Sequence, residues 1–497
     1  MKNSIKTLLF LNFFCVIYTI NAQTKNVFLD RAFWKTNPTI NQVEVKITEG
    51  NNATKLNRYG FDAVVYAILE NANTKTIKHL LSKKGNDVNK LTHDGRTYIF
   101  WASYKNNISI VKHLLKNGAK TNVIDDKGYS ILNFTAAAGV ENIKLYDLLI
   151  KHGASILTDK TPKGANALLL ITPNLTNFKM INYFISKGLR LDATDKDGNG
   201  VFNYTVQKGN IKMLNLLIKK GLPYKNVNKN GGNAMLFATK GSRSGYNSFA
   251  FIKYLENLGI NPNITNNKGK TPLHNLAFGN KEIPTINYFI NKGVDVNQSD
   301  NNGNTALINA ASRNSLKVIK LFASKTTNIN HTNNNGQSAL TKAISNNSKT
   351  VEFFLNKGAD VTLIDKKGNH LGHYLFNTFS TKNLNEFQKK LDLLKTKGLN
   401  ISKPQKNGTT LYHLAVKKQN LSMLKYIKRY NIDIDAKNPQ GLTALQKAVM
   451  TAKNNVIIKY LIDNGADKTL KTDFDETLYD LAKENEALKN TDISFLK

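Results

Sequence analysis

The chain has 497 residues, 70 Lys and Arg against 35 Asp and Glu, a formal net charge of +35 and a single cysteine, Cys15. One cysteine excludes a disulfide framework within the chain and any multi-thiolate metal site, and a 41% hydrophobic content without a long apolar run beyond the N-terminus excludes both a disordered chain and a polytopic membrane protein. So basic a chain invites a nucleic-acid reading, and its length suggests about three domains unless it repeats.

At the N-terminus, Lys2 and Lys6 precede the apolar run Leu8 to Ile20, which Asn21-Ala22-Gln23 follows. The run is too short for a membrane span, so residues 1–22 are expected to be a secretory signal peptide cleaved after Ala22. Cys15 lies inside it, and Phe14 is too bulky for a lipoprotein cleavage box. The mature chain would then carry no thiol, no transmembrane segment and a charge of about +33. Export argues against a nucleic-acid partner and places the protein in a periplasm or outside the cell. The "INAQ" leader end and the Lys- and Asn-rich composition point to a bacterial source.

Next, "VFLDRAFW" and "TINQVEVKITEG" read as a helix pair ending at Gly50, an N-terminal capping unit over residues 23–58. From there glycine recurs at Gly60, Gly95, Gly128, Gly164, Gly198, Gly231, Gly269, Gly303, Gly336, Gly368, Gly408 and Gly441, with Asp475 in the next place, a step of about 34.6 residues. That is a repeat-protein period. Gly50, Gly85, Gly118, Gly188, Gly221, Gly259, Gly293, Gly358 and Gly398 each precede a member of the series by ten residues. Each ten-residue segment starts where a helix ends on a left-handed glycine. It closes in a turn such as Asp125-Asp126-Lys127-Gly128 or Asp300-Asn301-Asn302-Gly303, with Asx first and Gly last.

Two residues after the turn glycine come Thr97, Ser130, Asn166, Asn233, Thr271, Thr305, Ser338, Thr410, Thr443 and Thr477, all N-cap side chains. Pro272 follows at the first helical position, where its missing N–H costs nothing. A second helix follows in each unit, with apolar residues at i, i+3 and i+4, as in Val111, Leu114, Leu115 and Ile286, Phe289, Ile290. One such stripe cannot bury itself, so the units must stack.

Gly269-Lys270-Thr271-Pro272-Leu273-His274, with "NKGVDVN" at Asn291 to Asn297 and "NGADKTL", "NKGADVT" and "KNGAKTN" elsewhere, resembles the ankyrin repeat over essentially the whole chain after the leader. The resemblance implies an all-α repeat solenoid of ankyrin-like helix pairs with short β-hairpin fingers. It gives about twelve repeats over residues 59–472 and a C-terminal capping helix over 473–497, with no room for a separate catalytic domain. Two repeats are long between their helices, at Lys240 to Asn247 and at Thr378 to Glu386. Tolerated loop growth accounts for them, with a partner contact as the alternative.

Chemistry has no visible seat in this frame. Gly269-Lys270-Thr271 mimics the end of a phosphate-binding loop, but position 264, where a glycine is required, is Ile264. His274, His373 and His413 each stand five residues after a turn glycine, and the resemblance gives that histidine a hydrogen-bonding role between the helix N-terminus and the neighbouring finger. Gly269, Thr271, Pro272, Leu273, His274, His373 and His413 are therefore read as framework. His370 and His373 lack the glutamate and spacing of a zinc-protease helix and read as a substituted N-cap beside a framework histidine. No enzyme activity, cofactor or metal is expected.

Many lysines, among them Lys83, Lys84, Lys116, Lys187 and Lys292, fall in the last turn of a second helix, where a cation complements the helix dipole. Others fall at finger tips or at the end of the first helix, positions that line the binding surface in ankyrin-like arrays. The partner-binding candidates are Tyr59, Phe61, Tyr104, Lys105, Tyr129, Lys196, Lys229, Lys268, Lys270, Phe278, Lys366, Lys406, Lys417 and Lys418. They suggest a monomeric scaffold that binds an acidic protein partner through a basic concave surface, with aromatic anchors and lysines for steering. An envelope or anionic-polymer binder and an effector or immunity-type inhibitor are the alternatives.

Overall fold

The computed structural model describes residues 26–242 and 245–497; the expected signal peptide and Cys15 lie outside them. Among the described residues there are 27 α-helices and no strand. The described residues divide into two compact units, one ending at Lys196 and the other beginning at Asp197. Among the described residues no helix is long and apolar enough to cross a membrane.

The N-terminal unit opens with the helices Arg31–Lys35 and Ile40–Thr48. Trp34 is fully buried. Its indole N–H donates to the carbonyl of Phe28 at 2.9 Å, which satisfies the one polar atom the ring takes into the core. Thr39 and Gln42 form a capping box at the start of the second helix. Four pairs follow: Ala63–Leu69 with Thr74–Leu81, Tyr98–Tyr104 with Ile108–Lys116, Ile131–Ala137 with Ile143–Lys151, and Ala167–Ile171 with Lys179–Ser186.

The C-terminal unit continues the pattern from Val201–Lys208 with Ile211–Lys219 through Ala444–Thr451 with Val456–Asp463. Its last helix, Leu478–Glu484, is followed by two 3-10 turns that tuck Leu488 and Leu496 into the core. First and second helices differ because their surroundings differ. A first helix such as Tyr98–Tyr104 buries every residue from Tyr98 to Ser103, whereas the second helix Ile108–Lys116 buries one stripe, Ile110, Val111, Leu114 and Leu115. A helix buried all round is apolar all round, and a flanking one is amphipathic.

The finger segments differ from the hairpins that the resemblance implies. Their arms meet only at isolated bridges such as Ile124 with Ser130 and Thr332 with Ser338. The first turn residue takes the N–H groups that a strand partner would need: Asp125 Oδ1 accepts from Lys127 N at 2.9 Å and from Tyr129 N at 2.8 Å. Successive fingers are joined by one backbone bond at the tip. Asn301 N donates to Lys268 O at 3.0 Å, Asn334 N to Asn302 O at 2.9 Å and Lys366 N to Asn335 O at 2.9 Å. The turn glycine is needed twice over: Gly303 has φ +76°, and a Cβ there would lie 2.7 Å from Asn334 N of the next finger.

All ten residues read as N-caps occupy that position, although Thr97 makes no side-chain cap bond, and at Thr271 and Thr410 the histidine three residues on bonds the cap instead. Both long repeats are packed. In the first, Asn247 Nδ2 donates to Ala238 O at 2.9 Å and to Val206 O at 3.2 Å. In the second, Phe379 and Phe387 cluster with Phe376 and Tyr426. There the buried Lys390 donates to the carbonyls of Ile344 at 2.7 Å and Asn346 at 3.2 Å, bonds that asparagines make in the preceding repeats.

Candidate partner-binding surface

In the N-terminal unit the finger arms and first helices carry a continuous strip of rings. Phe61 stacks on His93 at 4.4 Å and lies 5.8 Å from Trp101. Trp101 meets Phe134 edge-on at 5.9 Å, and Tyr104 lies 5.7 Å from Phe134. The guanidinium of Arg96 sits over Phe134 at 4.3 Å and over Trp101 at 5.3 Å. Contacts of this kind contribute about 0.5–2 kcal/mol each when partly desolvated.

Polar bonds set the strip rigidly. Trp101 Nε1 donates to Thr92 Oγ1 at 2.8 Å, and His93 Nδ1 lies 2.7 Å from Tyr59 O. Arg96 binds Asp125 with two nitrogens at 2.8 Å and reaches Asp94 at 3.2 Å. Of the strip's neighbours, Tyr59 is 57% exposed and Tyr104 43% exposed, so both offer ring surface to a partner. Tyr129 is half-buried, and burial, with Asp125 adding to it, pushes its phenol pKa up. Lys105 is half-buried at the C-cap of Tyr98–Tyr104. Lys196 is exposed, its stem leaning over Gly164 of the preceding finger.

Four residues of the strip, His93, Arg96, Trp101 and Phe134, are absent from the candidates read from sequence. Trp101 and Phe134 sit inside helical stripes that read as core. Arg96 follows its turn glycine directly, and nothing local shows that its partners are the carboxylate of the next finger and the rings around it.

In the C-terminal unit Lys229, Lys268, Lys366 and Lys406 are exposed at finger tips. They do not form an unbroken basic row. The fingers between Lys268 and Lys366 carry Asn301-Asn302 and Asn334-Asn335, and their asparagines run a ladder from finger to finger. Asn267 Nδ2 donates to Lys229 O at 3.2 Å, Asn301 Nδ2 to Asn267 O at 3.1 Å and Asn334 Nδ2 to Asn301 O at 2.9 Å. Lys270 is half-buried, its N–H donating to Asn266 Oδ1 at 2.9 Å. Phe278, 48% exposed, follows the helix Pro272–Leu276. Lys417 and Lys418 are exposed at the end of Leu411–Lys417, and Lys418 Nζ donates to Asn377 O at 3.3 Å.

The three framework histidines are not equivalent. His274 Nδ1 accepts from Thr271 N at 3.1 Å while Nε2 faces Asn304 O of the next finger at 3.0 Å. His413 does the same with Thr410 N at 3.3 Å and Leu442 O at 3.0 Å. In the third repeat the N-cap residue performs this duty instead: His370 Nδ1 accepts from Gly372 N at 3.0 Å, and Nε2 faces Lys403 O at 3.1 Å. His373 packs edge-on against Tyr374. Gly269 has φ +72°, Pro272 starts its helix, and Leu273 is fully buried.

A family model described as ankyrin repeats (three copies) matches residues 37–125, 64–160, 100–195, 242–333, 275–365 and 381–472, together more than half of the chain. Among curated proteins, the ankyrin repeat protein nuc-2 of Neurospora crassa is 27% identical over 117 residues, 24% of this chain and 11% of that protein. An ankyrin repeat protein of Rickettsia felis is 43% identical over 68 residues, 12% of this chain and 46% of that protein. The chain thus spans less than half the length of either relative. With helix pairs stacked at the repeat's own period in both units and a family match over most of their length, the chain belongs to the ankyrin-repeat family.

Proposed function

We propose that the protein is a non-enzymatic scaffold that captures a protein partner, with the aromatic strip of the N-terminal unit as the anchor. Ankyrin repeats generally mediate protein–protein interaction. The observation that carries the reading is the exposed Tyr104 against Phe134 in the ring strip that Arg96 and Trp101 organise, with the exposed Tyr59 tied to it through its carbonyl and His93, its ring under Arg58 at 4.6 Å. Large aromatics that lose little rotamer freedom on binding are the residues that dominate interfaces.

Charge supports an acidic partner. The carboxylates of Asp94 and Asp125 are taken up by Arg96, with Lys127 also 3.7 Å from Asp94, while Lys163 and Lys196 at the tips of the same unit are exposed. That excess favours steering, which acts on association rate more than on final affinity. Capture by the full chain tests the reading. The double substitution Tyr59→Ala and Tyr104→Ala should raise the dissociation rate of the captured protein by about tenfold or more, equivalent to about 1.4 kcal/mol or more. An unchanged dissociation rate in a variant with normal helical content refutes the anchor.

A further inference from the structure

Outside that surface, the second helices of neighbouring repeats are clipped together by a carboxylate on one and a ring plus a lysine on the next. Glu44 meets His79 and Lys83, each at 2.5 Å. Asp147 meets Tyr183 at 3.0 Å and Lys187 at 2.7 Å. The helix dipole is thus only part of the account of Lys83 and Lys187.

In Glu44, His79 and Lys83, the ring stands 35 residues and the lysine 39 residues after the acid. Counting the same intervals from the next second helix gives Lys78, His113 and Asn117. The acid's place is held by a cation, with the imidazole of His113 lining the same space. Burial, then Lys78 and Lys116, hold the pKa of His113 below its ordinary value. Here a cavity of about 460 Å³ opens, lined by Lys78, Lys84, His113 and Asn117 over an apolar floor that includes Leu81 and Leu114. Two other charges stand at its wall: Lys83 is bound by Glu44, and Asp87, whose Oδ1 accepts from Asn89 N at 2.8 Å, is the one carboxylate of the lining. The C-termini of two helices offset part of the local positive charge. They supply no carboxylate.

We propose that this cavity binds a small organic anion whose phosphate or carboxylate head sits between Lys78 and His113, in the place that the carboxylates of Glu44 and Asp147 hold in other repeats. The volume is that of a small-molecule site, and the apolar floor suits the body of such a ligand. Lys84 stands at the rim as a third cation. The site shares no residue with the aromatic strip and does not depend on the partner-binding reading.

Calorimetric titration of the full chain with inorganic pyrophosphate, at fixed ionic strength, tests the head-group site. One saturable site per chain is the expected result. Its affinity rises as the pH falls through the range where His113 takes up a proton among Lys78, Lys83, Lys84, Lys116, Asp87 and Glu44. Lys78→Glu supplies the missing carboxylate from the protein itself and should weaken binding by about tenfold or more; Lys78→Gln serves if that variant does not fold. His113→Gln should flatten the pH dependence. The absence of saturable binding to the wild-type chain, or equal affinity in the Lys78 variant, overturns the proposal. Tyr59→Ala with Tyr104→Ala should leave pyrophosphate binding unchanged.

Discussion

At the residue scale, His274 and His413 show how a titratable group can be part of the repeat frame. Each ring accepts a backbone N–H through Nδ1 and faces a carbonyl of the next finger through Nε2, so each carries its proton on Nε2 and is neutral. Burial holds both pKa values below the ordinary histidine range. The unfolded chain, with histidine pKa values of about 6.5, therefore binds protons first as the pH falls. The stability these rings confer is intact above about pH 6.5 and is lost as the pH drops through their lowered folded values. Gln446 makes the same two bonds without titrating: Oε1 accepts from Thr443 N at 2.8 Å and Nε2 donates to Leu470 O at 3.0 Å. Replacing His274 and His413 together by glutamine should cost no more than about 1 kcal/mol each at pH 7.5. It should also reduce the loss of stability between pH 7.5 and 5.5, read from urea unfolding. Equal losses in wild type and variant would mean that other groups govern acid sensitivity.

At the element scale, the finger depends on what the turn glycine leaves open. Gly303 and Gly358 have φ +76° and +78°, so both would strain an alanine alike, by about 1–2 kcal/mol. A Cβ at Gly358 meets nothing within 4 Å, whereas at Gly303 it lies 2.7 Å from Asn334 N, whose own bond to Asn302 O joins the two fingers. Gly303→Ala should therefore destabilise the chain clearly more than Gly358→Ala in urea unfolding. Equal losses would show that the finger yields freely. The same contrast explains which features were legible in the sequence. Glycine spacing and N-cap residues are local signals, and every N-cap read from them holds that position. The resemblance led to hairpin strands that the Asx turns pre-empt, and to a framework duty for His373 that His370 performs. Glu44 with Lys83, Arg96 with Asp125 and the asparagine ladder join residues about one repeat apart. Within a single repeat each looks like an ordinary surface charge or amide, although many of the asparagines carry specific bonds.

At the scale of the whole molecule, a net charge of +35 sets two salt effects against each other. Several acids are already committed to specific cations, as the buried Asp62 is to Lys90 at 2.9 Å and Glu256 to Lys292 at 2.5 Å. Partly buried pairs such as Asp62 with Lys90 are screened little by salt. The remaining lysines repel one another over distances that salt does screen, and self-repulsion of this kind destabilises a compact state. Raising NaCl from about 20 to about 200 mM shortens the screening length from about 20 to about 7 Å. The melting temperature followed by circular dichroism should then rise by about 2–5 °C. Steering of an acidic partner toward Lys127, Lys163 and Lys196 is screened by the same salt, so the association rate should fall over the same range. Opposite signs are the signature of a surface whose excess charge serves encounter more than stability. A melting temperature that fell with salt would place the balance with surface ion pairs, and an association rate indifferent to salt would remove the case for an acidic partner.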